Sequence, residues 1–296
     1  MKIGVVGAGK WGEALHFAIS QNNDAYISSR TKRDITNFIP MQEILEFEYI
    51  IFAFSAQNAR SWLETYPLKP NQKILVAAKG IEVSSGKFLN EVFSEFIDEE
   101  NLAFVSGPSF AVEVMQSLPT AIVVSSKNEN LAEKFSKLFP KFIKVYTSTD
   151  VIGAEVSGSY KNIIAIASGI CDGLELGNNA RASLISRGLV EMMRFGEFFG
   201  AQKDTFIGLS GSGDLFLTAT SVLSRNYRVG LGLAKGKTLQ EILEELGEVA
   251  EGVYTSEAVN RLLDQHGIYA PIAKEVYLMI NGKKPEDSLR DLLSSE

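Results

Sequence analysis

The 296-residue sequence contains one cysteine, Cys171, and two histidines, His16 and His266. A single cysteine excludes an intramolecular disulfide and a multi-cysteine metal site, and it is typical of a reducing compartment. Neither histidine has a nearby partner in sequence, so we expect acid–base chemistry without histidine and no bound metal. No apolar run reaches the roughly 18 residues of a membrane span, and no secretory signal is visible, which predicts a cytoplasmic protein.

Positive charge is also in short supply, since the formal net charge is −7. This balance argues against general binding to nucleic acid or to a membrane surface, although it leaves room for a local basic pocket. Hydrophobic residues make up 45% of the chain and charged residues 22%, as in ordinary globular proteins. A chain of this length can bury a large core, and we expect two domains.

The first sixteen residues combine a strand, a glycine-rich turn and a helix. Lys2 to Val6 predicts a buried strand, and Gly7, Gly9 and Gly12 follow before a helix that starts near Glu13. This is G-x-G-x-x-G in the context of a dinucleotide-binding unit. Gly7 makes the tight turn in such a unit, Gly9 lets the backbone approach a pyrophosphate, and Gly12 packs helix against strand. The free N–H groups at the helix N-terminus then bind the phosphates.

Two alternatives exist for this stretch. Gly4 to Lys10 also fits the start of a P-loop, G-x-x-x-x-G-K, but Trp11 stands where a P-loop needs a hydroxyl to hold Mg²⁺. A glycine-rich turn that binds nothing is the other alternative. The strand before and the helix after the glycines favour the dinucleotide.

The residues after the second predicted strand, Ala25–Ser29, indicate which dinucleotide. An NAD site has an acidic residue about 20 positions beyond the glycines. Here Arg30 and Arg33 follow the strand instead, and the first acid is Asp34. This favours NADP(H), with Arg30 as the partner of the 2′-phosphate and Arg33 as the alternative; a solvated basic turn would look the same.

Strands and helices alternate over the first half of the chain. This rhythm predicts an α/β fold with an N-terminal Rossmann doubly wound parallel sheet. The further strands are predicted at Tyr49–Phe54, Lys73–Ala78, Leu102–Ser106, Thr120–Val124 and Phe142–Tyr146, and the helices between them at Asn58–Thr65, Ser84–Phe96 and Asn130–Phe139.

From about Asp150 only helices are predicted, so an all-α C-terminal domain follows. We place the division at 1–149 for the NAD(P)-binding Rossmann domain and 150–296 for the substrate-binding and catalytic domain. The predicted helices are 152–173, 178–199, 211–223, 225–235, 238–246, 254–266, 271–281 and 285–293.

Two strand ends of the first half carry polar chemistry, where parallel sheets bind ligands. Lys79 follows one strand in AAKGIE, and Gly107, Pro108 and Ser109 follow another in VSGPSFAVE. A lone lysine at such a junction is usually a surface residue, so its role depends on the rest of the chain.

Lys161 and Asn162 lie in the middle of the apolar helix 152–173. Loss of solvation lowers the pKa of a lysine and makes it a usable proton donor or acceptor near neutrality. The alternative is a lysine that extends its tip into water.

Three further polar groups occur at predicted helix starts. Asp214 follows the glycine cluster GLSGSG, where it fits a helix cap as well as a site residue. Thr218 lies one turn later on the same face. The triplet Ser224-Arg225-Asn226 offers a hydroxyl, a guanidinium and an amide, which suit a phosphate.

Taken in order, GAGKWG, AAKGIE, SGPSFA, SGSYKNIIAI, GLSGSGDL, SRN and EVAEG resemble the NAD(P)-dependent glycerol-3-phosphate dehydrogenases of the bacterial type. The resemblance extends from Lys2 to about Gly282. It implies an oxidoreductase that interconverts dihydroxyacetone phosphate and sn-glycerol 3-phosphate by hydride transfer and feeds glycerophospholipid synthesis. NADPH/NADP is the implied cofactor, with NADH compatible, and exposed apolar faces on the helical domain suggest a homodimer.

Carried over residue by residue, the resemblance assigns the site. Lys161 matches the catalytic proton donor and acceptor, and Lys79 and Asp214 complete the catalytic set. The implied substrate-binding residues are Lys79, Gly107, Ser109, Lys161, Asn162, Asp214, Thr218, Ser224, Arg225 and Asn226. The implied cofactor-binding residues are Gly7, Gly9, Lys10, Trp11, Gly12, Arg30, Lys79, Ala111, Arg225, Val249 and Glu251.

The chain departs from the family in a shorter stretch between Arg33 and Phe47, and in AFSAQ where a Val-Pro-Ser is common. The nearest enzymatic alternative is a dehydrogenase of 3-hydroxyacids or sugar acid phosphates with a Lys-x-x-Asn spacing, whereas here Asn162 directly follows Lys161. A non-catalytic NADP(H) sensor on the same fold is the alternative of a different class.

Overall fold

The computed structural model describes residues 1–294. The chain forms two compact units, and each unit consists of two separate segments of the chain. The first contains Met1–Lys79 and Phe88–Glu155, and the second contains Gly80–Lys87 and the chain from Val156 onward. The domain boundary predicted at 149/150 stays a prediction. The boundary between the two compact units lies inside a helix, between Glu155 and Val156. The short segment from Gly80 to Lys87 belongs to the second unit.

The first unit is built on a seven-stranded sheet of order β2-β1-β3-β4-β5-β6-β7. Strands β1 to β5 pair in parallel, β6 runs against β5, and β7 is parallel to β6. The sheet is therefore mostly parallel, and it departs from a strictly parallel sheet where the chain turns back between β5 and β6. The strands are β1 Lys2–Val6, β2 Asp24–Ser28, β3 Tyr49–Phe52, β4 Lys73–Val76, β5 Leu102–Ser106, β6 Thr120–Ser125 and β7 Ile143–Ser148.

Helices cover both faces of this sheet because successive strand residues point to opposite sides. Val5 and Ile51 pack with Leu15 in one apolar core, while Val6 and Phe52 pack in the other. The doubly wound α/β prediction is confirmed. The helices of this unit are α1 Lys10–Ser20, α2 Met41–Ile44, α3 Ala59–Thr65, α4 Leu89–Ser94, α5 Ala111–Met115 and α6 Glu129–Ser136.

The strand order places the glycine turn at a switch point. Strand β1 lies between β2 and β3, so the chain moves outward from β1 in both directions. Ligands of open α/β sheets bind beyond the carboxyl ends of the strands at such a point. Gly7 follows β1 directly, so the fold puts the glycine turn where a ligand crevice is expected.

The second unit is helical, as predicted. Its first helix, α7, starts in the first unit and is 23 residues long. No helix within residues 1–294 is both long and apolar enough to cross a membrane. The helices are α7 Val151–Gly173, α8 Gly177–Phe198, α9 Lys203–Ile207, α10 Asp214–Ala219, α11 Arg225–Ala234, α12 Leu239–Leu246, α13 Glu251–His266, α14 Pro271–Ile280 and α15 Pro285–Ser294.

Two predicted helices are wrong in part. The helix predicted at Ser84–Phe96 begins only at Leu89, because the chain before it turns at Gly86 with φ 75°. The guanidinium of Arg261 holds that turn by donating to the carbonyl of Val83. The helix predicted at 211–223 is split into a π-helical turn, Leu209–Gly213, and the six-residue α10.

Candidate active site

The glycine turn after β1 has room for a ligand at one of its three glycines. Gly7 has φ 110°, and a Cβ there would lie 2.5 Å from the carbonyl oxygen of Ala53. A Cβ on Gly12 would lie 1.8 Å from the carbonyl oxygen of Gly7. A Cβ on Gly9, by contrast, would meet no heavy atom of the described chain within 4 Å. Packing requires the outer two glycines, and the middle one leaves open space for a pyrophosphate.

Helix α1 begins directly after this opening. Gly9 is its N-cap residue, with an extended backbone at φ −85° and ψ 175°. The N-terminus of α1 therefore lies beside the open space at Gly9, and the helix dipole favours a phosphate there. Lys10 is exposed at the first helical position, and Trp11 packs its half-buried ring against the core. These residues fit a dinucleotide.

The basic turn that follows β2 is tied to the glycine turn. The backbone N–H of Gly7 donates to the carbonyl of Ser28, the last residue of β2, at 2.8 Å. Arg30 comes two residues later and is exposed, as is Arg33. Both guanidinium groups are open to a phosphate, and Arg30 is nearer along the chain to the bonded strand end.

The remaining predicted residues of the first unit lie at the same edge of the sheet. Lys79 follows β4 and Gly107 follows β5, and both strands run parallel to β1. Gly107 has φ 102°, and a Cβ on it would lie 3.2 Å from the Cα of Ile122. The hydroxyl of Ser109 donates to the carbonyl of Gly107 at 3.1 Å, which shapes the loop that leads to Ala111 and α5.

Lys161 and Asp214 form a buried ion pair in the second unit. The Nζ of Lys161 lies 2.5 Å from Oδ1 of Asp214, and the two side chains are 8% and 2% exposed. The hydroxyl of Thr218 accepts a hydrogen bond from Nζ at 3.0 Å and donates to the backbone carbonyl of Asp214 at 2.6 Å. Helix α7 supplies the lysine and α10 supplies both partners, so the fold brings together three of the predicted residues.

Asn162 follows Lys161 on α7, Asn226 lies on α11, and both residues contact the start of α13. The amide of Asn162 donates to the carbonyl of Gly158 at 3.2 Å. Oδ1 of Asn226 accepts from the backbone N–H of Gly252 at 2.9 Å. A Cβ on Gly252 would lie 2.7 Å from that oxygen and 3.0 Å from the carbonyl oxygen of Asn162. The start of α13, where Glu251 precedes Gly252, is thereby packed against both asparagines.

In the triplet at the start of α11, Ser224 caps the helix and Arg225 is partly exposed. The hydroxyl of Ser224 accepts from the backbone N–H of Tyr227 at 3.2 Å, so it caps α11. Arg225 is partly exposed and lies 3.4 Å from the carboxylate of Glu248. Val249, the next residue, is exposed. An anion near this helix start would meet the guanidinium at the surface.

A buried carboxyl group that the sequence did not reveal lies on α8. Glu191 accepts hydrogen bonds from the backbone N–H groups of Ile272 at 2.8 Å and Ala273 at 3.1 Å, so it caps α14. The phenol of Tyr160, beside Lys161 in sequence, donates to Glu191 at 3.3 Å. Burial raises the pKa of Glu191 to about 7 and raises that of Tyr160 well above its usual value. The sequence predicted the start of this helix at 271 but not the carboxylate that caps it.

No metal-binding cluster accompanies these groups. Within the described residues, no three His, Cys, Asp or Glu side chains lie close enough together to hold a metal ion. The single cysteine, Cys171, is buried, and burial raises the pKa of its thiol.

Comparisons with known proteins identify the family of the chain. The family model of the NAD-dependent glycerol-3-phosphate dehydrogenase N-terminus matches residues 23–132, and that of the C-terminus matches residues 150–290. The chain is 60% identical to glycerol-3-phosphate dehydrogenase [NAD(P)+] of Nitratiruptor sp. over 99% of its length and 98% of the relative's. It is 59% identical to the enzyme of the same name from Sulfurimonas denitrificans, with 99% of both chains covered.

A solved structure resembles the whole chain. The crystal structure of glycerol-3-phosphate dehydrogenase from Coxiella burnetii superposes with a TM-score of 0.92 at 31% identity, and 99% of each chain is covered. Family models matching most of the chain, relatives near 60% identity and this shared fold agree. The chain belongs to the NAD-dependent glycerol-3-phosphate dehydrogenase family.

Proposed function

We propose that this chain interconverts dihydroxyacetone phosphate and sn-glycerol 3-phosphate with NAD(P)H. Relatives of 60% and 59% identity carry the name of that activity over nearly the whole length. The structural observation that carries the chemistry is the buried ion pair of Lys161 and Asp214, 2.5 Å apart. A charged ammonium group in a desolvated place is what a carbonyl oxygen needs as it gains negative charge.

In the proposed reaction, bound NAD(P)H supplies the hydride. As the carbonyl carbon accepts it, an alkoxide develops on the oxygen, and Lys161 stabilises that oxygen and donates a proton to it. In the reverse direction the neutral amine of Lys161 takes the proton from the hydroxyl. Asp214 and Thr218 hold Nζ through contacts of 2.5 and 3.0 Å, so the proton leaves from a fixed position.

The other predicted residues bind the two ends of the substrate. Arg225 and its neighbours Ser224 and Asn226 bind the phosphate, whose binding energy positions the reacting end. Asn162 orients the carbonyl end. In the first unit Lys79 adds a second positive charge, and the loop with Gly107 and Ser109 contacts the substrate.

The glycine turn holds the pyrophosphate of the cofactor in this proposal. The open space at Gly9 and the exposed guanidinium of Arg30 support NADP(H), with Arg30 on the 2′-phosphate. NADH remains compatible because the pyrophosphate contacts are shared. The remaining proposed cofactor contacts are Lys10, Trp11, Lys79, Ala111, Arg225, Val249 and Glu251.

We extend the proposal to the biological setting. The product would feed glycerophospholipid synthesis, and the enzyme would act in the cytoplasm as a homodimer. Exposed apolar side chains in the helical unit, such as Ile207, Phe216 and Val222, support self-association. Sedimentation over a range of protein concentrations tests this, and a species of 32.4 kDa at every concentration would contradict it.

The activity is tested by following NADPH absorbance after addition of dihydroxyacetone phosphate, with 3-keto acids in parallel. We expect oxidation with dihydroxyacetone phosphate only, and sn-glycerol 3-phosphate as the product. Oxidation with a 3-keto acid instead would indicate the other dehydrogenase class. NADPH binding without oxidation of either kind would indicate a sensor.

A further inference from the structure

The π-helical turn Leu209–Gly213 lies immediately before Asp214. Its backbone N–H of Gly213 donates to the carbonyl of Gly208 at 3.1 Å, five residues back instead of four. Such a wide turn is rare and holds one extra residue compared with an α-helix. One residue corresponds to about 100° of rotation about a helix axis, so the turn decides in which direction Asp214 points.

The turn is held against α9 at a place where a side chain has no room. A Cβ on Gly211 would lie 2.1 Å from the carbonyl oxygen of Phe206 and 2.3 Å from its Cα. These are backbone atoms, which cannot move aside as the end of a flexible side chain can. The hydroxyl of Ser212 adds hydrogen bonds to the carbonyls of Ile207 at 2.8 Å and Gly208 at 3.2 Å.

Phe206 is itself fixed from the other side. Its ring is fully buried, and a Cβ on Gly196 of α8 would lie 2.2 Å from its Cζ. The close contacts therefore run from α8 through Phe206 to Gly211, three residues before Asp214. They end at the carboxylate that lies 2.5 Å from Nζ of Lys161.

We infer that Gly211 is a positioning residue, which sets the carboxylate of Asp214 against Lys161 through the π turn. The inference rests on the proposed function, because it assigns Gly211 a role in turnover. Gly211 touches neither substrate nor cofactor in this account. It acts by allowing the backbone of the turn to lie on the backbone of Phe206.

The test is a double-mutant cycle in kcat for dihydroxyacetone phosphate. Gly211→Ala moves the turn by about an ångström, and misplacement of this size lowers kcat by about 10- to 100-fold. Gly208→Ala is the matched control, because its Cβ would lie 3.5 Å from the nearest atom at an allowed φ of −88°. We expect Gly208→Ala to stay within about twofold of the parent.

The second arm separates positioning from general damage. If Gly211 acts through Asp214, then Gly211→Ala changes kcat less than about twofold in an Asp214→Asn background, where the carboxylate is already lost. NADPH binding, whose proposed contacts include no residue of the π turn, stays within about twofold in every variant. An equal loss of kcat in both backgrounds would make Gly211 merely structural and overturn the inference.

Failure of the inference is distinguishable from failure of the proposed function. A parent enzyme that does not reduce dihydroxyacetone phosphate contradicts the function. An active parent with an equally active Gly211→Ala contradicts the inference alone. If Gly211→Ala does not fold, as judged by circular dichroism, Ser212→Ala enters the same cycle, since it loosens the turn without adding an atom. We then expect a loss of about threefold or more that again disappears with Asp214→Asn.

Discussion

Asp214 holds the ammonium group of Lys161 at 2.5 Å in a place where the two side chains are only 2% and 8% exposed. The lysine comes from the middle of α7 and the carboxylate from the first position of α10. Each charge is a counter-ion of the other, and Thr218 contacts both residues. Removing one partner therefore leaves a buried charge without its counter-ion, which is costly in free energy.

This pairing predicts a specific pattern of stability. Lys161→Met keeps the volume of the side chain but removes the ammonium group that pairs with the buried Asp214, and we expect the free energy of unfolding to fall by about 3–5 kcal/mol. Adding Asp214→Asn restores most of that loss. Denaturant titration measures both.

The exposed pair of Lys274 and Asp264, 3.4 Å apart, is the control. Lys274→Met changes the free energy of unfolding by less than about 1 kcal/mol because the pair is solvated. Equal effects of the two lysine substitutions would contradict the description of the Lys161 pair as buried.

The raised pKa of Glu191 predicts that the free energy of unfolding depends on pH. Burial raises its pKa from 4.5 to about 7, so between these values the unfolded chain has released the proton while the folded chain keeps it. Stability contributed by this group is complete below about pH 4.5 and falls as the pH rises to about 7, by about 3 kcal/mol in total.

Glu191→Gln removes this titration. The difference in free energy of unfolding between the parent and Glu191→Gln therefore changes across that pH range, in the direction that disfavours the parent at the higher pH. Burial also raises the pKa of Glu155 in the first unit, and taking the difference between the two proteins cancels the titration of that group. Parallel pH profiles for the two proteins would rule out the raised pKa.

Substitutions in the glycine turn distinguish an effect on cofactor binding from an effect on stability. Gly9→Ala fits the backbone and meets open space, so the free energy of unfolding stays within about 0.5 kcal/mol of the parent. Its methyl group occupies the approach of the pyrophosphate, and we expect NADPH to bind about tenfold more weakly or worse.

Gly12→Ala gives the contrast, because its Cβ would lie 1.8 Å from the carbonyl oxygen of Gly7. We expect a loss of about 1–3 kcal/mol in the free energy of unfolding. Calorimetric titration with NADPH and thermal unfolding test both variants. Tight NADPH binding by Gly9→Ala would place the pyrophosphate elsewhere.

The assignment of Arg30 to the 2′-phosphate predicts that this residue strengthens the binding of NADPH but not of NADH. Loss of a charged hydrogen bond to the 2′-phosphate costs about 1.5–3 kcal/mol, so Arg30→Ala weakens NADPH binding by about tenfold or more and leaves NADH binding unchanged. Arg33→Ala, three residues along the same exposed turn, is the control with a small effect. A larger effect at Arg33 would transfer the assignment to that residue.

The sheet was predictable because its residues carry the pattern locally. Runs such as Lys2–Val6 and Leu102–Ser106 are mostly apolar, and the turns between the strands contain glycine or proline. The helix predicted at Ser84–Phe96 was wrong before Leu89, where the chain turns at Gly86 and Arg261, far away in the sequence, donates to the carbonyl of Val83. Contacts of that kind leave no local pattern.

The site was predictable only in its parts. Lys161 in an apolar helix and Asp214 after a glycine cluster were visible separately, but their pairing is a tertiary contact. The π turn before Asp214 escaped prediction because glycine and serine are compatible with many backbone conformations. Glu191 looked like an ordinary helix residue, since its partners are backbone N–H groups of α14.

Lys161 delivers the proton in the proposed reaction, and the turnover of Lys161→Ala measures this role. The variant is assayed with dihydroxyacetone phosphate and NADPH at a temperature where circular dichroism shows it folded, beside Lys274→Ala. We predict that Lys161→Ala loses at least about 100-fold in kcat while binding NADPH as the parent does, and that Lys274→Ala keeps the parent's rate. Near-normal turnover by Lys161→Ala would contradict the account.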